Sequence, residues 1–317
     1  MPRILLVKTS SLGDVVHNLP VASDIHAAVD GAEIDWVVEE AYAPIARLHG
    51  GVRRVIPASV RRWRRGFWRR DVWDEVRAFA AELRTTRYDA VIDTQGLLKS
   101  ALITRASVGM RYGLDWRASR EPLFMFYDRT LHVPHDRHAV ERNRSVAAQA
   151  LDYTLDGHID YGIAARPRPL TWLPSGAYAV LVHASSADAK LWPESRWIVV
   201  ANALASRAMH VVLPWGDIGE RERSERLAAA LPRAIVPPRL SVHDWSAVLA
   251  GAACVVGVDT GLTHLAAALG CPTVGIYVAT DPARTGLYRC ARAVNVGQPG
   301  ESPGAEAVMS AVEQMTA

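Results

Sequence analysis

One segment of the sequence brings an acid, hydroxyls and a glycine to the end of an apolar strand: VVGVDTGLTHLAA, residues 255–267. A helix beginning here leaves the backbone N–H groups of Thr260, Gly261 and Leu262 without helical partners, which suits an anion such as a pyrophosphate. Asp259 follows the strand and is a candidate for sugar hydroxyls, because its charge would repel a phosphate placed too near. His264 lies in the first helical turn and has two interpretations of about equal weight. It is either a buried, hydrogen-bonded structural histidine or a residue that contacts the ligand.

Two further strand ends in the second half carry polar side chains. Ser185 and Ser186 follow one predicted strand and precede the isolated Lys190. Two hydroxyls and a lysine suit a phosphate ester, although an ordinary surface loop explains them slightly better on local grounds. A Trp-Gly pair at 215–216 follows another strand. Glu220 lies just inside the next helix, where its carboxylate either accepts hydrogen bonds from two ribose hydroxyls or stabilises the helix start.

The first strand ends in a loop that carries a second acid, Lys8-Thr-Ser-Ser-Leu-Gly-Asp14. Its glycine and lysine do not have the order of a Walker A loop, and the loop is not GxGxxG, so neither ATP hydrolysis nor dinucleotide binding is supported. Gly13 supplies flexibility before a helix. Asp14 has two equally good interpretations, a general base for a substrate hydroxyl and a stabiliser of the helix start. Gln95 and Gly96 follow another strand and are candidates for the same edge of the sheet.

Residues 61–70, RRWRRGFWRR, contain six arginines, two tryptophans and a phenylalanine. No acidic residue lies between Ala41 and Arg70, so this run is neither a buried element nor an ordinary surface with mixed charges. Arginine binds carboxylates and phosphates through paired hydrogen bonds. Trp63, Phe67 and Trp68 suit a lipid headgroup boundary. An acidic sugar, an anionic lipid and a nucleic acid all remain candidates, the last ranked lowest because no nucleic-acid-binding motif is present.

A second basic group follows in the first half, with Arg117 and Arg120 and then Arg142 and Arg144. The last two are two positions apart on a predicted helix and diverge, so at most one of them is expected to face a given ligand. Three histidines between 132 and 138 have no partnering acid cluster, and no metal site is predicted.

The elements that must position these residues alternate along the chain as short apolar strands and longer helices, the pattern of parallel βαβ units. The strands that carry the candidate sites are predicted at Ile4–Val7, Ala90–Asp93, Ala179–His183, Met209–Leu213 and Cys254–Val258. One helix is predicted over Val15–Val29. Ligands of such sheets bind beyond the carboxyl ends of the strands, where the candidates lie.

Prolines near 167–174 interrupt this alternation. We therefore predict a domain at 1–160, a linker or hinge at 161–177 and a second domain at 178–317, whose last helix is a candidate to pack back on the first. The chain has 317 residues, a net charge of +3 and three cysteines without metal-like spacing. These values predict an intracellular protein without a disulfide framework and exclude a globally basic nucleic-acid binder. No apolar run is long enough to span a membrane.

Taken in order, these motifs resemble the ADP-heptose:lipopolysaccharide heptosyltransferases. The resemblance extends from Ile4 to about Tyr277 and is nearest to the branch that adds the first heptose. It is carried by Lys8–Asp14, Trp36–Glu40, Arg61–Arg65, Asp93–Gly96, Trp215-Gly216 and Asp259–His264.

That resemblance implies an α/β protein of GT-B architecture, in which two Rossmann-like domains face each other across a cleft, and an inverting glycosyltransferase that needs no catalytic metal or cofactor. Asp14 would be the catalytic base, and Lys190 would offset charge on the leaving group. The implied residues for the ADP-heptose donor are Ser185, Ser186, Lys190, Trp215, Gly216, Glu220, Leu240, Asp259, Thr260, Gly261 and His264.

The implied acceptor is Kdo2-lipid A, which would receive heptose on the 5-hydroxyl of Kdo. The implied acceptor residues are Ser10, Ser11, Gly13, Arg61, Arg62, Arg64, Arg65, Gln95, Arg120, Arg142 and Arg144. Peripheral contact with the anionic cytoplasmic face of the inner membrane is expected, and no nucleic acid. A later core heptosyltransferase with a phosphorylated heptose acceptor is the alternative in the same class. A non-catalytic module that binds anionic lipid or nucleic acid is the alternative outside it.

Overall fold

The structure, a computed structural model, describes residues 1–119, 121–173 and 175–316. The chain divides into two compact units, Met1–Ile163 and Ala164–Ala317, and the division falls within the segment 161–177. Each unit is built on a six-stranded sheet in which every pair of neighbouring strands is parallel.

The sheet of the first unit has the order β3-β2-β1-β4-β5-β6. Its strands are β1 (Arg3–Val7), β2 (Glu33–Glu39), β3 (Val52–Ala58), β4 (Arg87–Asp93), β5 (Val108–Leu114) and β6 (Arg129–Leu131). Its helices are α1 (Leu12–Val16), α2 (Leu19–Ala28), α3 (Ala43–Ala46), α4 (Val60–Arg65), α5 (Arg70–Arg84), α6 (Leu98–Ala106) and α7 (Ala139–Leu151), with 3₁₀ turns at Glu40–Tyr42 and Phe124–Phe126.

The central strands of this sheet are apolar because helices cover both faces. Val7 pairs with Val37 of β2 on one side and with Asp93 of β4 on the other. The loops that follow β1, β2 and β4 therefore meet at one edge of the sheet. The predicted helix Val15–Val29 is instead two helices, α1 and α2, because Pro20 has no N–H for a continuous helix and suits the first turn of a new one.

The sheet of the second unit has the order β12-β11-β10-β7-β8-β9. Its strands are β7 (Tyr178–Val182), β8 (His210–Val212), β9 (Ala234–Ile235), β10 (Cys254–Val258), β11 (Thr273–Ile276) and β12 (Ala293–Val296). Its helices are α8 (Glu194–Ser206), α9 (Ile218–Ala229), α10 (Val242–Ala250), α11 (Gly261–Ala268), α12 (Pro282–Thr285) and α13 (Ala305–Thr316), with a 3₁₀ turn at Asp188–Lys190.

A core shared by β7, β10, α8 and α13 holds the second unit together. Val308 and Val312 of α13 are buried in this core, so the buried face of the last helix serves the second unit. Gly257 of β10 lets α11 lie close to the sheet, since a Cβ there would stand 2.2 Å from the Thr263 hydroxyl. Helix α11 begins at Gly261, two residues after Asp259.

Among the described residues, no helix is both long and apolar enough to cross a membrane.

Candidate functional site

The centre of the second unit's site is Asp259, which follows β10 and is buried. Its carboxylate accepts three hydrogen bonds from side chains. Lys190 Nζ donates to Oδ2 over 2.7 Å, and the Thr280 hydroxyl donates to the same oxygen over 2.7 Å. His264 Nε2 lies 2.9 Å from Oδ1. Asp259 is thus held in one position by three groups from separate elements.

These contacts keep Asp259 ionised. Burial alone would raise the pKa of this carboxyl, but the hydrogen bonds and charges of His264 and Lys190, with the Thr280 hydroxyl, hold it well below its usual range. The carboxylate can therefore accept hydrogen bonds from hydroxyl groups at any physiological pH.

An anion site adjoins this carboxylate at the start of α11. Thr260 is the N-cap residue, and its side chain makes no capping hydrogen bond. The N–H groups of Gly261 and Leu262 have no acceptor within the helix, whose first backbone hydrogen bond runs from Thr263 N to the Thr260 carbonyl, so they are available to an anion. Lys190 Nζ also lies 3.4 Å from the Asp259 carbonyl oxygen, which places its positive charge beside the same helix end. The predicted combination of acid, lysine and helix start is present in one place.

The remaining predicted donor residues lie on neighbouring loops. Ser185 and Ser186 follow β7, the strand paired with β10. The Glu220 carboxylate accepts a 2.6 Å hydrogen bond from Gly216 N, and the Trp215 indole donates to the Pro237 carbonyl.

Through its hydrogen bond with Gly216, Glu220 stabilises the loop between β8 and α9. Leu240 lies just before α10 and is half-buried.

Thr280 is absent from the predicted set. It follows β11, at the same sheet edge as Asp259, and its isolated threonine carries no local motif. The rule that functional residues follow parallel strands could have found it.

The first unit's candidate site is the loop after β1, where Asp14 is half-exposed at the third position of α1. Its Oδ2 accepts hydrogen bonds from Ser11 N at 2.6 Å and from the Ser11 hydroxyl at 3.0 Å. The helix-stabilising interpretation of Asp14 is therefore confirmed. It does not compete with a catalytic role, since a half-exposed carboxylate keeps acceptor capacity for a substrate hydroxyl.

Three residues from other elements hold this loop. Gln95 Oε1 accepts hydrogen bonds from the backbone of Thr9 and Ser10, at 3.0 and 3.1 Å. Lys8 Nζ donates to the Thr94 carbonyl at 2.9 Å, and Lys99 Nζ donates to the Ser10 hydroxyl. Gln95 thus positions the loop, whatever else it contacts.

Lys99 is the main residue of this site that the sequence did not assign. Burial lowers its pKa; the charges of Glu39 and Asp14 oppose that effect, and those of Arg61 and Arg64 reinforce it. Lys99 therefore shares the electrostatic environment of the Asp14 loop and the start of the arginine run. Its only sequence signal is its place just after the strand end Asp93–Gly96.

The arginine run forms α4 and the turn after it, and its members differ in environment. Arg61 donates its backbone N–H to Glu39, and its guanidinium lies 5.3 Å from the Tyr42 ring centre. Arg62 is ion-paired with Glu75 at 2.6 Å and lies 3.4 Å from Glu40.

By contrast, Arg64 and Arg65 are exposed and have no side-chain partner among the described residues. They are the members of the run that are ready to bind an anion without first breaking an ion pair.

A cavity of about 480 Å³ beside α4 shows how the acid-free stretch is balanced. Four arginines line it, but so do the carboxylates of Glu39, Glu40, Asp71 and Glu75. These acids come from β2, the 3₁₀ turn after it and α5. The charge in this cavity is therefore mixed, although the arginine run itself holds no acid.

Two expectations about the first unit, one for Arg144 and one for Trp63, need correction. Arg144 is fully buried, and its guanidinium makes two hydrogen bonds with Asp24, at 2.6 and 2.9 Å. It is a core ion pair between α7 and α2 and does not face an acceptor. Trp63 is half-buried against Phe79, and its indole donates to Glu75, so it is not at an exposed boundary.

Arg142 donates to the Ala118 carbonyl at 3.1 Å. Arg120 lies outside the described residues. In the described parts of the chain, no group of three or more His, Cys, Asp or Glu side chains is close enough to hold a metal ion.

The family follows from a comparison with known proteins. The profile of glycosyltransferase family 9 (heptosyltransferase) matches residues 76–315. The chain belongs to glycosyltransferase family 9. This family 9 chain is 46% identical over 291 residues to lipopolysaccharide heptosyltransferase 1 of Escherichia coli K12, an alignment that covers 90% of this chain and 91% of the relative. It is 48% identical to the protein of the same name from Pseudomonas aeruginosa, over 90% of this chain and 81% of the relative.

A solved structure extends the similarity to the fold. E. coli heptosyltransferase WaaC with ADP superposes with a TM-score of 0.89 at 42% identity, and 99% of each chain is covered. The family 9 chain therefore has the GT-B fold and is a glycosyltransferase, as its sequence predicted.

Proposed function

We propose that the chain transfers L-glycero-D-manno-heptose from ADP-heptose to the 5-hydroxyl of Kdo in Kdo2-lipid A, the first heptose of the lipopolysaccharide inner core. The observation that carries this proposal is the buried Asp259, joined to Lys190 and set against the start of α11. That arrangement offers a sugar-binding carboxylate and a diphosphate site side by side. The identity of 46–48% to heptosyltransferase 1 relatives supports the choice of the first-heptose reaction.

The second unit would bind the donor. Lys190 and the free N–H groups of α11 would hold the diphosphate with Ser185 and Ser186, and Asp259 would accept hydrogen bonds from the heptose hydroxyls. His264 holds the other oxygen of Asp259 and so orients it. Trp215, Gly216, Glu220 and Leu240 would serve the nucleoside.

The first unit would bind the acceptor. Arg61, Arg64 and Arg65 would bind its carboxylates and phosphates, and Lys99 joins this set because it contacts Ser10. We leave Arg144 out of the set because its guanidinium is occupied by Asp24.

In the proposed reaction, the Asp14 carboxylate takes the proton from the Kdo hydroxyl as its oxygen attacks the anomeric carbon. The bond from that carbon to the diphosphate breaks, and ADP leaves. In-line attack inverts the anomeric centre. Lys190 and the α11 N–H groups would stabilise the charge that develops on ADP, which is the task a metal performs in other transferases, so the proposed mechanism includes no metal. Segment 161–177 is the proposed hinge for bringing the two units together.

The enzyme should release ADP when it is mixed with ADP-heptose and Kdo2-lipid A. Turnover with a heptosylated acceptor but not with Kdo2-lipid A would favour the later core heptosyltransferase. An absence of turnover with every acceptor would favour a binding module. Since the acceptor is a lipid of the inner membrane, we propose that the enzyme works at the cytoplasmic face as a peripheral protein.

The Asp14→Asn variant tests the base. Asparagine retains the capping geometry but cannot take the proton, so turnover should fall about 10²–10⁴-fold while the thermal midpoint changes little. The second unit offers a comparison, because Ser241 and Asp244 form the same capping box at α10 and Asp244 differs from Asp14 in also pairing with Arg168. Asp244→Asn should leave turnover unchanged. If Asp14→Asn works at near the normal rate, Asp14 is not the base.

A further inference from the structure

An aromatic patch lies exposed where the arginine run meets α5, formed by Phe67, Trp68 and Trp73. These side chains are between 51% and 70% exposed. The rings of Phe67 and Trp68 meet edge to face at 5.2 Å, and the Trp73 indole donates to the Phe67 carbonyl at 2.7 Å. Because the indole N–H of Trp73 is already satisfied, the face of this ring offers an apolar contact.

A second apolar patch, which we call the α6 patch, is formed by Leu98 and Leu102 on α6 and by Phe124 and Met125 on the adjacent 3₁₀ turn. These side chains are between 48% and 68% exposed. The two leucines are one helical turn apart and share a face. Buried side chains beneath the patch, including Leu123, join the 3₁₀ turn to α6.

Exposed arginines lie beside both patches, together with a few acids: Asp71 and Asp74 near Trp73 and Glu121 near Leu98. Arg64, Arg65 and Arg70 flank the aromatic patch, and none of them has an ion-pair partner among the described residues. Arg105 lies one turn beyond Leu102 on α6 and is exposed. Exposed aromatic and aliphatic side chains beside unpaired arginines complement a bilayer surface, where anionic headgroups cover an apolar hydrocarbon layer.

Each patch adjoins a helix that is linked to the Asp14 loop: α6 carries Leu98 and Leu102, and the aromatic patch begins just after α4. Lys99 follows Leu98 on α6 and donates to the Ser10 hydroxyl. On the other side, Arg61 of α4 binds Glu39, whose backbone N–H donates to the Thr9 carbonyl. The α6 patch thus includes residues of a helix that contacts this loop, and the aromatic patch lies on the turn after α4 and on α5.

We propose that the aromatic patch and the α6 patch together bind an anionic lipid bilayer and hold the Asp14 loop at the level of the headgroups. This inference rests on the proposed function, because a lipid-anchored acceptor must reach that loop. The exposed apolar side chains and the arginines beside them match the chemistry of an anionic bilayer, and this selects the bilayer as the occupant.

Vesicle co-sedimentation of the full chain tests the surface. Binding to phosphatidylcholine vesicles that contain phosphatidylglycerol should exceed binding to phosphatidylcholine alone. The double variants Phe67→Ser/Trp68→Ser and Leu102→Ser/Met125→Ser should each lower the partition coefficient about 10-fold or more, since each removes two large apolar contacts. Ile218→Ser is the control, because Ile218 is more exposed than any of the four substituted residues but lies on the second unit. It should bind as the unchanged chain does.

Activity separates this inference from the proposed function. On a deacylated, water-soluble acceptor the patch variants should keep the normal rate, whereas on vesicle-embedded acceptor their rate should fall with their binding. Normal vesicle binding by both variants would overturn the inference even if heptosyl transfer is intact. A change from dimer to monomer in the variants, without any loss of vesicle binding, would assign the patches to a second copy and would also overturn it. Failure of transfer on every acceptor would instead refute the proposed function.

A conservative variant covers the case in which the serine variants fail to fold. Brominated lipids should quench tryptophan fluorescence of the unchanged chain, and Trp68→Phe/Trp73→Phe should lose most of that quenching while it keeps its fold. Equal quenching in this variant would show that these tryptophans do not enter the bilayer.

Discussion

The hydroxyl of Thr280 should control how well the enzyme uses its donor. It donates a 2.7 Å hydrogen bond to Oδ2 of Asp259, the oxygen that also receives the Lys190 ammonium. Thr280→Val keeps the shape of the side chain and removes this single bond. Asp259 then depends on Lys190 and His264 alone for its orientation.

The expected size of the effect follows from the charge of the acceptor. A hydrogen bond to a charged group contributes about 1.5–3 kcal/mol, which corresponds to about 10- to 150-fold in kcat/KM. The loss should fall on kcat/KM for ADP-heptose, because Asp259 belongs to the donor side, and the KM for the acceptor should stay constant. Thr280→Ser retains the hydroxyl and should recover most of the loss.

The assay is ADP release at varied donor and fixed, saturating acceptor, with thermal unfolding as a check on the fold. Thr285→Val is a suitable control, since the Thr285 hydroxyl makes only a 3.5 Å contact with the Asp281 carbonyl. A donor kcat/KM within twofold of normal for Thr280→Val would show that this hydrogen bond does not control donor use. So would a Thr280→Ser variant as impaired as the valine variant, because the hydroxyl would then not be the cause.

Three other predictions concern charge and stability. Arg144→Met leaves Asp24 buried without its partner, so the free energy of unfolding should fall by about 3–5 kcal/mol in denaturant titrations, while the acceptor KM of the folded enzyme should not change. Burial lowers the pKa of His183 from 6.5 to about 3 in the folded protein. As pH falls below 6.5, the unfolded chain therefore takes up a proton on His183 that the folded chain does not. Stability should drop by about 2 kcal/mol from this residue between pH 7 and 5, and His183→Gln should flatten that part of the urea-unfolding profile. Arg64→Gln should raise the acceptor KM more than the donor KM without a change in thermal midpoint. Arg62→Gln should instead lower the midpoint, because it breaks the ion pair with Glu75. Equal changes in both KM values for Arg64→Gln would contradict an acceptor role for Arg64.

The alternation of strands and helices was predictable because a parallel sheet covered on both faces needs continuous apolar strands. Runs such as Ile4–Val7 and Cys254–Val258 have no other simple explanation, and both strands are present. The edge strand β12 was missed, since its residues are only half-buried and Asn295 interrupts the apolar pattern. Edge strands give weak signals because only part of their surface is covered.

Contacts between distant residues were the part that no local pattern could supply. Lys99 and Ser10 are 89 positions apart, and Arg144 and Asp24 are 120 apart. An arginine in a polar helical segment predicts exposure, and only the packing of α7 against α2 makes Arg144 a core residue. The same limitation hid the carboxylates that balance the arginine run, because they arrive from β2 and α5.

The three lysines of this arginine-rich chain share one kind of place. Each has its ammonium at a loop that follows a central strand: Lys8 on the Thr94 carbonyl, Lys99 on the Ser10 hydroxyl and Lys190 on Asp259. Arginine supplies the other 33 of 36 basic residues, so a demand for positive charge alone does not explain these positions. A compact ammonium can direct its donors toward separate loops, whereas a planar guanidinium favours one paired acceptor. The lysines therefore hold three loops that follow central strands, and these are the loops that carry the candidate site residues.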